Sequence, residues 1–204
     1  MSKINKITPL TNVKFLNLYE LEAENKFGNT HPYYVASRKD KNTMMAATKK
    51  VIPDGVVIYS LFGEKADKLI MVKQFRYPLN DYTYELPAGL IDPGESVKET
   101  AVREMKEETG LTFTPAEFDD SLSRPHFSSA GMTDETNCTV YGISTGMPNL
   151  DHLEPNEDLS VELVDKTEAK RILKEENLSV KAYYLLLHFI QSDPSDPFAF
   201  LKLN

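Results

Sequence analysis

The sequence has only one cysteine, Cys138, which excludes an intrachain disulfide and predicts a reducing compartment. It has no apolar run near the roughly 20 residues that span a bilayer, and no internal repeat. The basic N-terminal stretch MSKINKITPLTNVKF lacks the apolar core of a secretory signal. Basic residues are not in excess either, because the formal net charge is −8, which argues against binding to a nucleic-acid backbone. We therefore expect a soluble cytoplasmic protein that binds neither nucleic acid nor membrane.

The 204 residues are enough for one sizeable domain with a small appendage. Residues 13–21 and 33–38 read as extended segments on either side of the turn-rich stretch KFGNTHP, which predicts an N-terminal hairpin or small sheet. We therefore divide the chain into an N-terminal β-strand subdomain, residues 1–50, and a main domain, residues 51–204.

The main domain alternates strands and helices. The β-rich runs DGVVIYSLF and KLIMVKQF stand at hairpin spacing. Further strands are predicted at residues 82–86, 117–124, 138–145 and 159–164. Two helices are predicted near the end of the chain, at residues 167–176 and 179–191. This mixture indicates an α+β or layered α/β/α domain.

A third helix is predicted at residues 97–109. Ser96 and Glu99 form the S-x-x-E pattern of a capping box, and Gly110 supplies the C-terminal stop.

Three glutamates of this helix, Glu104, Glu107 and Glu108, occupy an arc of about 100°. Like charges at this spacing repel one another in an exposed helix. Mg²⁺ prefers hard oxygen ligands, so two or three convergent carboxylates would suit it. Taken alone, the pattern is also typical of a solvated acidic face interleaved with Lys98 and Lys106.

The residues around these glutamates resemble the Nudix box, G-x5-E-x7-R-E-U-x-E-E-x-G-U, where U is aliphatic. Its nine specified positions are filled by Gly89, Glu95, Arg103, Glu104, Met105, Glu107, Glu108, Gly110 and Leu111. Nine chance matches at average residue frequencies would be rarer than about one in a hundred million. The resemblance implies a Nudix-type α/β/α sandwich with a mixed sheet and a small N-terminal β subdomain, in which residues 51–204 form the catalytic domain.

The resemblance also implies Mg²⁺-dependent hydrolysis of a nucleoside diphosphate linked to another group, with Mn²⁺ as a second candidate metal. Glu104, Glu108 and the backbone carbonyl of Ala88 would bind the metal, and Glu107 would bind it directly or through water. Arg103 would orient these carboxylates by ion pairing. The metal would neutralise the pyrophosphate and lower the pKa of the attacking water. Glu95 fills a position of the box, but it also has a purely structural interpretation, in which its negative charge stabilises the N-terminus of the helix through the helix dipole.

The stretch VKQFRYPLNDYTYELPAGLIDPGE resembles ADP-ribose and ADP-sugar pyrophosphatases. By that resemblance Arg76 and Glu85 would line the substrate site. A guanidinium group suits phosphates, and a carboxylate accepts hydrogen bonds from ribose hydroxyls or an adenine amino group. The alternative for Arg76 is a surface ion pair.

Upstream, YYVASR resembles the segment of these enzymes in which an aromatic residue precedes an arginine by five positions. Tyr33 would then stack on adenine and Arg38 would contact phosphate, with Tyr34 as a near-equal candidate because the strand register is open. The resemblance further implies a homodimer that exchanges its N-terminal strands.

Downstream of the box, FSSAGMTDETNCTVYG resembles the following loop and strand of the family. Glu135 is a candidate there either for substrate contact or for supporting a residue that makes such a contact. Ala130 stands where many ADP-ribose pyrophosphatases have proline, which leaves the substrate open. HLEPNEDLSVELV resembles the loop that carries a catalytic glutamate, so Glu157 is the candidate base for the attacking water and Glu154 is its rival. The alternative is a solvated acidic turn.

The sequence thus predicts a pyrophosphatase that converts ADP-ribose, or a related ADP-sugar, to AMP and a sugar phosphate. A second hypothesis is another nucleotide sugar or dinucleotide, such as GDP-mannose. A third is a non-catalytic sensor that binds ADP-ribose, although such modules usually lose part of the R-E-U-x-E-E set that this chain retains.

Overall fold

The computed structural model describes residues 1–202, which form two compact units. The first unit comprises residues 1–54 and 125–137, and the second comprises the rest of the described chain. The division at residue 50 that we drew from the sequence stays a prediction.

The strands follow one another along both units. In chain order they are β1 (Lys3–Pro9), β2 (Asn17–Glu24), β3 (Thr30–Ser37), β4 (Gly55–Phe62), β5 (Leu69–Arg76), β6 (Asp81–Glu85), β7 (Ala88–Leu90), β8 (Thr112–Pro115), β9 (His126–Phe127), β10 (Thr136–Thr145) and β11 (Leu159–Val164). The helices are α1 (Met45–Thr48), α2 (Val97–Thr109), α3 (Lys166–Glu175) and α4 (Val180–Gln191), with 3-10 turns at Asp120–Ser123 and Ala199–Leu201. Within residues 1–202, no helix has both the length and the apolar character that crossing a membrane requires.

The first unit contains an antiparallel sheet in the order β1-β2-β3. Tyr19, Leu21 and Val35 are buried in one cluster with Met44. The Tyr19 hydroxyl donates to the carbonyl of Lys39 at 2.8 Å, so its burial leaves no polar atom unsatisfied. The predicted N-terminal sheet is confirmed, and it includes β1, which was not predicted.

The second unit is built on a sheet in the order β11-β5-β4-β10-β8, with β6 paired to β5 and β7 paired to β4. Side chains of β4 alternate between two buried faces. Tyr59 belongs to a core cluster with Ile172 of α3 and Leu186 of α4, whereas Ile58 belongs to a second cluster with Met105 of α2. Helices therefore cover both faces, as predicted. Burying a side chain such as Met105 contributes roughly 1.5–3 kcal/mol.

Helix α2 has the predicted bounds. The Ser96 hydroxyl accepts from the Glu99 N–H at 3.3 Å, and the Glu99 carboxylate accepts from the Ser96 N–H at 2.8 Å. Gly110 ends the helix in the left-handed conformation, with φ of 71°.

One predicted strand is wrong. Residues 117–124 contain a 3-10 turn instead of a strand, because the Asp119 carboxylate accepts a hydrogen bond from the Ser121 N–H at 2.9 Å and holds the chain in a tight turn. The predicted strands at 138–145 and 159–164 are confirmed as β10 and β11.

Candidate active site

Helix α2 places three glutamates at different depths beside its buried face. Ala101 and Met105 are fully buried in the core. Glu108 is only 3% exposed, whereas the side chains of Glu104 and Glu107 are 13% and 34% exposed. The three carboxylates therefore differ in how strongly they are shielded from water, and Glu108 is the most shielded.

Gly89 in β7 makes room for the carboxylate of Glu104. A Cβ built on Gly89 would lie 1.9 Å from the Cδ of Glu104 and 1.9 Å from its Oε1. Glycine is therefore required for this close approach between β7 and the glutamate. This explains in physical terms the first glycine of the sequence pattern.

Arg103 holds several parts of the site through one guanidinium group. Its Nε and Nη2 each donate to a carboxylate oxygen of Glu95 at 2.9 Å. Its Nη1 donates to Glu104 and to Glu107, both at 2.8 Å, and Nη2 also donates to the carbonyl of Leu90 at 3.0 Å. The hydrogen bonds from Arg103 lower the pKa of Glu95 to about 2. These contacts agree with the orienting role that the resemblance assigns to Arg103.

Glu108 accepts a hydrogen bond from the Ala88 N–H at 3.0 Å. The resemblance assigns the carbonyl of Ala88 to the metal, but the contact seen here is made by its N–H. Burial raises the pKa of Glu108 well above the ordinary value, and the charges of Glu104 and Glu157 act in the same direction. A buried carboxylate beside two others is unfavourable alone, and a bound cation would relieve it.

Glu157 precedes β11, and its charge couples it to the acids of α2. Burial is the main cause of its raised pKa, and the nearby charges of Glu154 and Glu107 add to it. The charge of Glu157 in turn raises the pKa of Glu108. Glu154 is exposed, and its N–H donates to Oε2 of Glu157 at 3.3 Å. Of the two candidate bases, Glu157 is thus the half-buried one beside the acidic cluster, by which we mean Glu104, Glu107 and Glu108.

Arg76 and Glu85, which were predicted to line the substrate site, pair with each other. Nε of Arg76 donates to one carboxylate oxygen of Glu85 at 2.7 Å and Nη2 donates to the other at 2.9 Å. These hydrogen bonds raise the pKa of Arg76, and the charges of Glu108 and Glu157 raise it further. The pair is therefore close to the acidic cluster, and the Arg76 side chain remains 42% exposed.

The other predicted substrate residues lie together in the first unit. Nε of Arg38 donates to Oε2 of Glu135 at 3.0 Å. The hydroxyl of Tyr33 donates to the carbonyl of Gly131 at 2.6 Å, in the same segment as Glu135. Tyr33 and Tyr34 are both exposed, and Tyr33 is the one whose hydroxyl is bonded to this segment.

Comparison with models of protein families identifies the family of this chain. The model of the NUDIX domain matches residues 51–186, which is more than half of the chain. The chain belongs to the Nudix family. The family predicted from the nine box positions is thus confirmed.

Two relatives illustrate the similarity. The chain is 36% identical over 131 residues to putative nudix hydrolase 2 of Caenorhabditis elegans, covering 64% of this chain and 55% of that protein. It is 38% identical over 90 residues to an ADP-ribose pyrophosphatase of Saccharomyces cerevisiae, covering 43% of this chain and 37% of that protein. The matched parts therefore span about half of the first relative and little more than a third of the second.

A solved structure shows the same fold. The crystal structure of an ADP compounds hydrolase superposes with a TM-score of 0.64 at 19% identity, over 93% of this chain and 94% of that one. At this identity the match concerns the fold alone. The predicted Nudix-type α/β fold is confirmed.

The donor set of the Nudix helix fits a divalent cation by its chemistry. Glu104, Glu107 and Glu108 offer hard carboxylate oxygens, and Glu108 is buried with a hydrogen bond from one backbone N–H. Among residues 1–202, no three acidic, histidine or cysteine side chains converge closely enough to hold a metal as they stand. Two of these carboxylates are engaged by Arg103, whose Nη1 donates to one oxygen of Glu104 and to one oxygen of Glu107.

Some neighbours of the Nudix site were not predicted. His152 lines a cavity of about 320 Å³ with Arg103, Lys106 and Glu107. The hydroxyl of Tyr82 donates to the carboxylate of Asp158 at 2.8 Å. No motif marks His152 or this hydrogen bond, because both depend on how the loop between β10 and β11 folds back in space.

Proposed function

We propose that this Nudix chain is a Mg²⁺-dependent pyrophosphatase that cleaves ADP-ribose, or a related ADP-sugar, into AMP and a sugar phosphate. The observation that carries the proposal is the buried carboxylate of Glu108, which is coupled by charge to Glu104, Glu157 and Arg76. The similarity to an ADP-ribose pyrophosphatase supports the substrate class. The buried, free thiol of Cys138 supports a reducing, cytoplasmic setting.

Glu104, Glu107 and Glu108, with the carbonyl of Ala88, would hold Mg²⁺, and Mn²⁺ is a second candidate. When bound, the cation supplies positive charge to the diphosphate and makes the attacking water more acidic. Arg103 would keep Glu104 and Glu107 oriented, since its Nη1 already donates to both.

Glu157 would take the proton from the attacking water. Burial raises its pKa, and a higher pKa makes a carboxylate a stronger base. Arg76 would bind the diphosphate, and its bidentate pair with Glu85 fixes the guanidinium plane before substrate arrives. Glu85 would contact the ribose or adenine, because a carboxylate has more lone pairs than the two N–H groups of Arg76 occupy.

Tyr33, Arg38 and Glu135 would provide further substrate contacts, with the ring of Tyr33 stacking on adenine. We propose that the N-terminal strands, residues 1–50, are exchanged in a homodimer. The exposed side chains of Val13 and Phe15, 58% and 67% accessible, are apolar surface that such an exchange would cover.

The test is phosphate release, coupled to a phosphatase, from a panel of nucleoside diphosphate derivatives with Mg²⁺ or with EDTA. We expect metal-dependent turnover that is fastest on ADP-ribose. Glu108→Gln should nearly abolish it, whereas the matched surface change Glu117→Gln should not, since that side chain is 82% exposed.

Other outcomes separate the alternatives. Faster turnover of another nucleotide sugar, such as GDP-mannose, would retain the hydrolase and overturn the substrate. Binding of ADP-ribose without turnover of any compound would favour a sensor. Equal rates for Glu108→Gln and wild type would refute the metal-ligand assignment.

A further inference from the structure

The loop that carries Glu157 is fixed at its start by the end of α2. The N–H of Asn149 donates to the carbonyl of Thr109 at 3.0 Å. Gly110 permits this contact, because a Cβ there would lie 2.3 Å from Nδ2 of Asn149. The first part of the loop is therefore anchored on the Nudix helix.

The end of the same loop is fixed by the sheet. Leu159 pairs with Gln74, and the carbonyl of Asp158 accepts the N–H of Phe75 at 2.8 Å, which extends the pairing of β11 with β5 by one residue. Asp158 therefore continues the register onto Phe75, whereas Glu157 ends the preceding turn, in which its N–H donates to the carbonyl of Glu154 at 3.0 Å.

The side chain of Asp158 is bonded by Tyr82. Tyr82 of β6 pairs with Phe75 of β5, and their rings meet edge to face at 5.4 Å between centroids. The Tyr82 hydroxyl donates to Oδ2 of Asp158 at 2.8 Å. Hydrogen bonds to a carboxylate are stronger than those between neutral groups, so this contact fixes the Asp158 side chain. Glu157, the preceding residue, is close enough to Arg76 for the arginine charge to act on it.

We propose that Tyr82 is a positioning residue for Glu157. Its hydrogen bond to the Asp158 side chain, together with the bond from the Phe75 N–H to the Asp158 carbonyl, fixes the peptide between Glu157 and Asp158, so that the Glu157 carboxylate is held toward the acidic cluster. The inference rests on the proposed function, in which Glu157 is the base. In this role the phenolic hydroxyl of Tyr82 makes no contact with substrate.

The test compares Tyr82→Phe with Tyr77→Phe in the Mg²⁺-dependent hydrolysis of ADP-ribose. Both changes remove one phenolic hydroxyl, and both rings pack edge to face on Phe75 at 5.4 Å. We expect Tyr82→Phe to lower kcat roughly ten-fold with little change in KM, because misplacing a catalytic group slows the chemical step. Tyr77→Phe should behave as wild type. Asp158→Ala should match Tyr82→Phe, and Asp158→Asn, which keeps an acceptor, should recover most of the rate.

Repeating Tyr82→Phe in a Glu157→Gln background separates positioning from a general structural role. If Tyr82 acts through Glu157, it should not lower the residual rate of that background further. A further ten-fold drop there, or equal rates for Tyr82→Phe and Tyr77→Phe in the native background, would overturn the positioning role alone. A wild-type rate for Glu157→Gln would instead refute the proposed base, and the inference with it.

Discussion

Gly89→Ala tests whether the absence of a side chain at residue 89 is needed to accommodate the carboxylate of Glu104. The new Cβ would lie 1.9 Å from Cδ of Glu104, whereas ordinary contact begins at 3.4 Å, so the carboxylate has to move by 3.4 − 1.9 = 1.5 Å. The clash is with the end of a flexible side chain, and Gly89 does not have a positive φ. The fold should therefore accept the alanine while the site does not.

The expected loss follows from the size of this displacement. Misplacing a catalytic group by about 1 Å costs roughly 10²-fold in rate, so kcat/KM for ADP-ribose should fall about 100-fold, or about 2.7 kcal/mol of transition-state stabilisation. The Mg²⁺ concentration for half-maximal rate should rise, because Glu104 is a proposed ligand. The thermal unfolding midpoint should stay close to that of wild type.

A compensating change gives the control. Glu104→Asp shortens the side chain by one methylene, so adding it to Gly89→Ala should relieve the clash and recover part of the lost rate. Phosphate release is measured across a Mg²⁺ titration for four proteins: wild type, Gly89→Ala, Glu104→Asp and the double variant. Wild-type kcat/KM and an unchanged Mg²⁺ requirement in Gly89→Ala would refute the steric reasoning.

Three further changes test other parts of the molecule. Tyr59→Phe removes a buried hydroxyl that has no hydrogen-bond partner in the described chain, so urea denaturation should show a gain of about 1 kcal/mol, and a loss would contradict this. The pKa of Glu95, lowered from 4.5 to about 2 by its hydrogen bonds to Arg103, means that its ion pair stabilises the fold above pH 4.5 and is lost as the pH falls toward 2. Glu95→Gln should therefore unfold at a lower temperature than wild type at pH 7, with the difference closing by about pH 2, and a constant difference would argue against the pair. Arg76→Ala should raise the KM for ADP-ribose more than it lowers kcat. Arg76→Lys keeps the charge but loses the bidentate pair with Glu85, so its KM should lie between those of wild type and Arg76→Ala. An effect on kcat alone would exclude a binding role.

Helix α2 could be predicted to the residue because each of its signals acts locally. Ser96 and Glu99 bond each other within three positions, and Gly110 closes the last turn onto the carbonyl of Lys106. No distant part of the chain is needed to decide where this helix begins and ends.

The strands were less predictable because a strand exists only with its partner. β1 was missed, since its identity rests on the pairing of Ile7 with Leu21, fourteen positions away. The segment 117–124 carries apolar and polar residues like a strand, but Asp119 satisfies the Ser121 N–H locally and turns the chain. Propensity alone does not separate these two outcomes.

The site was predicted as a set of residues but not as a set of contacts. The spacing of the box names Glu95 and Arg103, yet it does not show that one guanidinium also holds Glu104 and Glu107. The pair formed by Arg76 and Glu85 depends on the register of β5 with β6, and the bond from Tyr82 to Asp158 joins residues 76 positions apart. Such contacts arise from strand pairing, which no short motif contains.

Charge explains why these contacts suit a cation-dependent reaction. The second unit gathers six carboxylates and two guanidinium groups, from Glu85, Glu95, Glu104, Glu107, Glu108, Glu157, Arg76 and Arg103. Their formal sum is −6 + 2 = −4, and both arginines are already engaged by carboxylates. An anionic diphosphate entering this field is repelled unless divalent cations arrive with it.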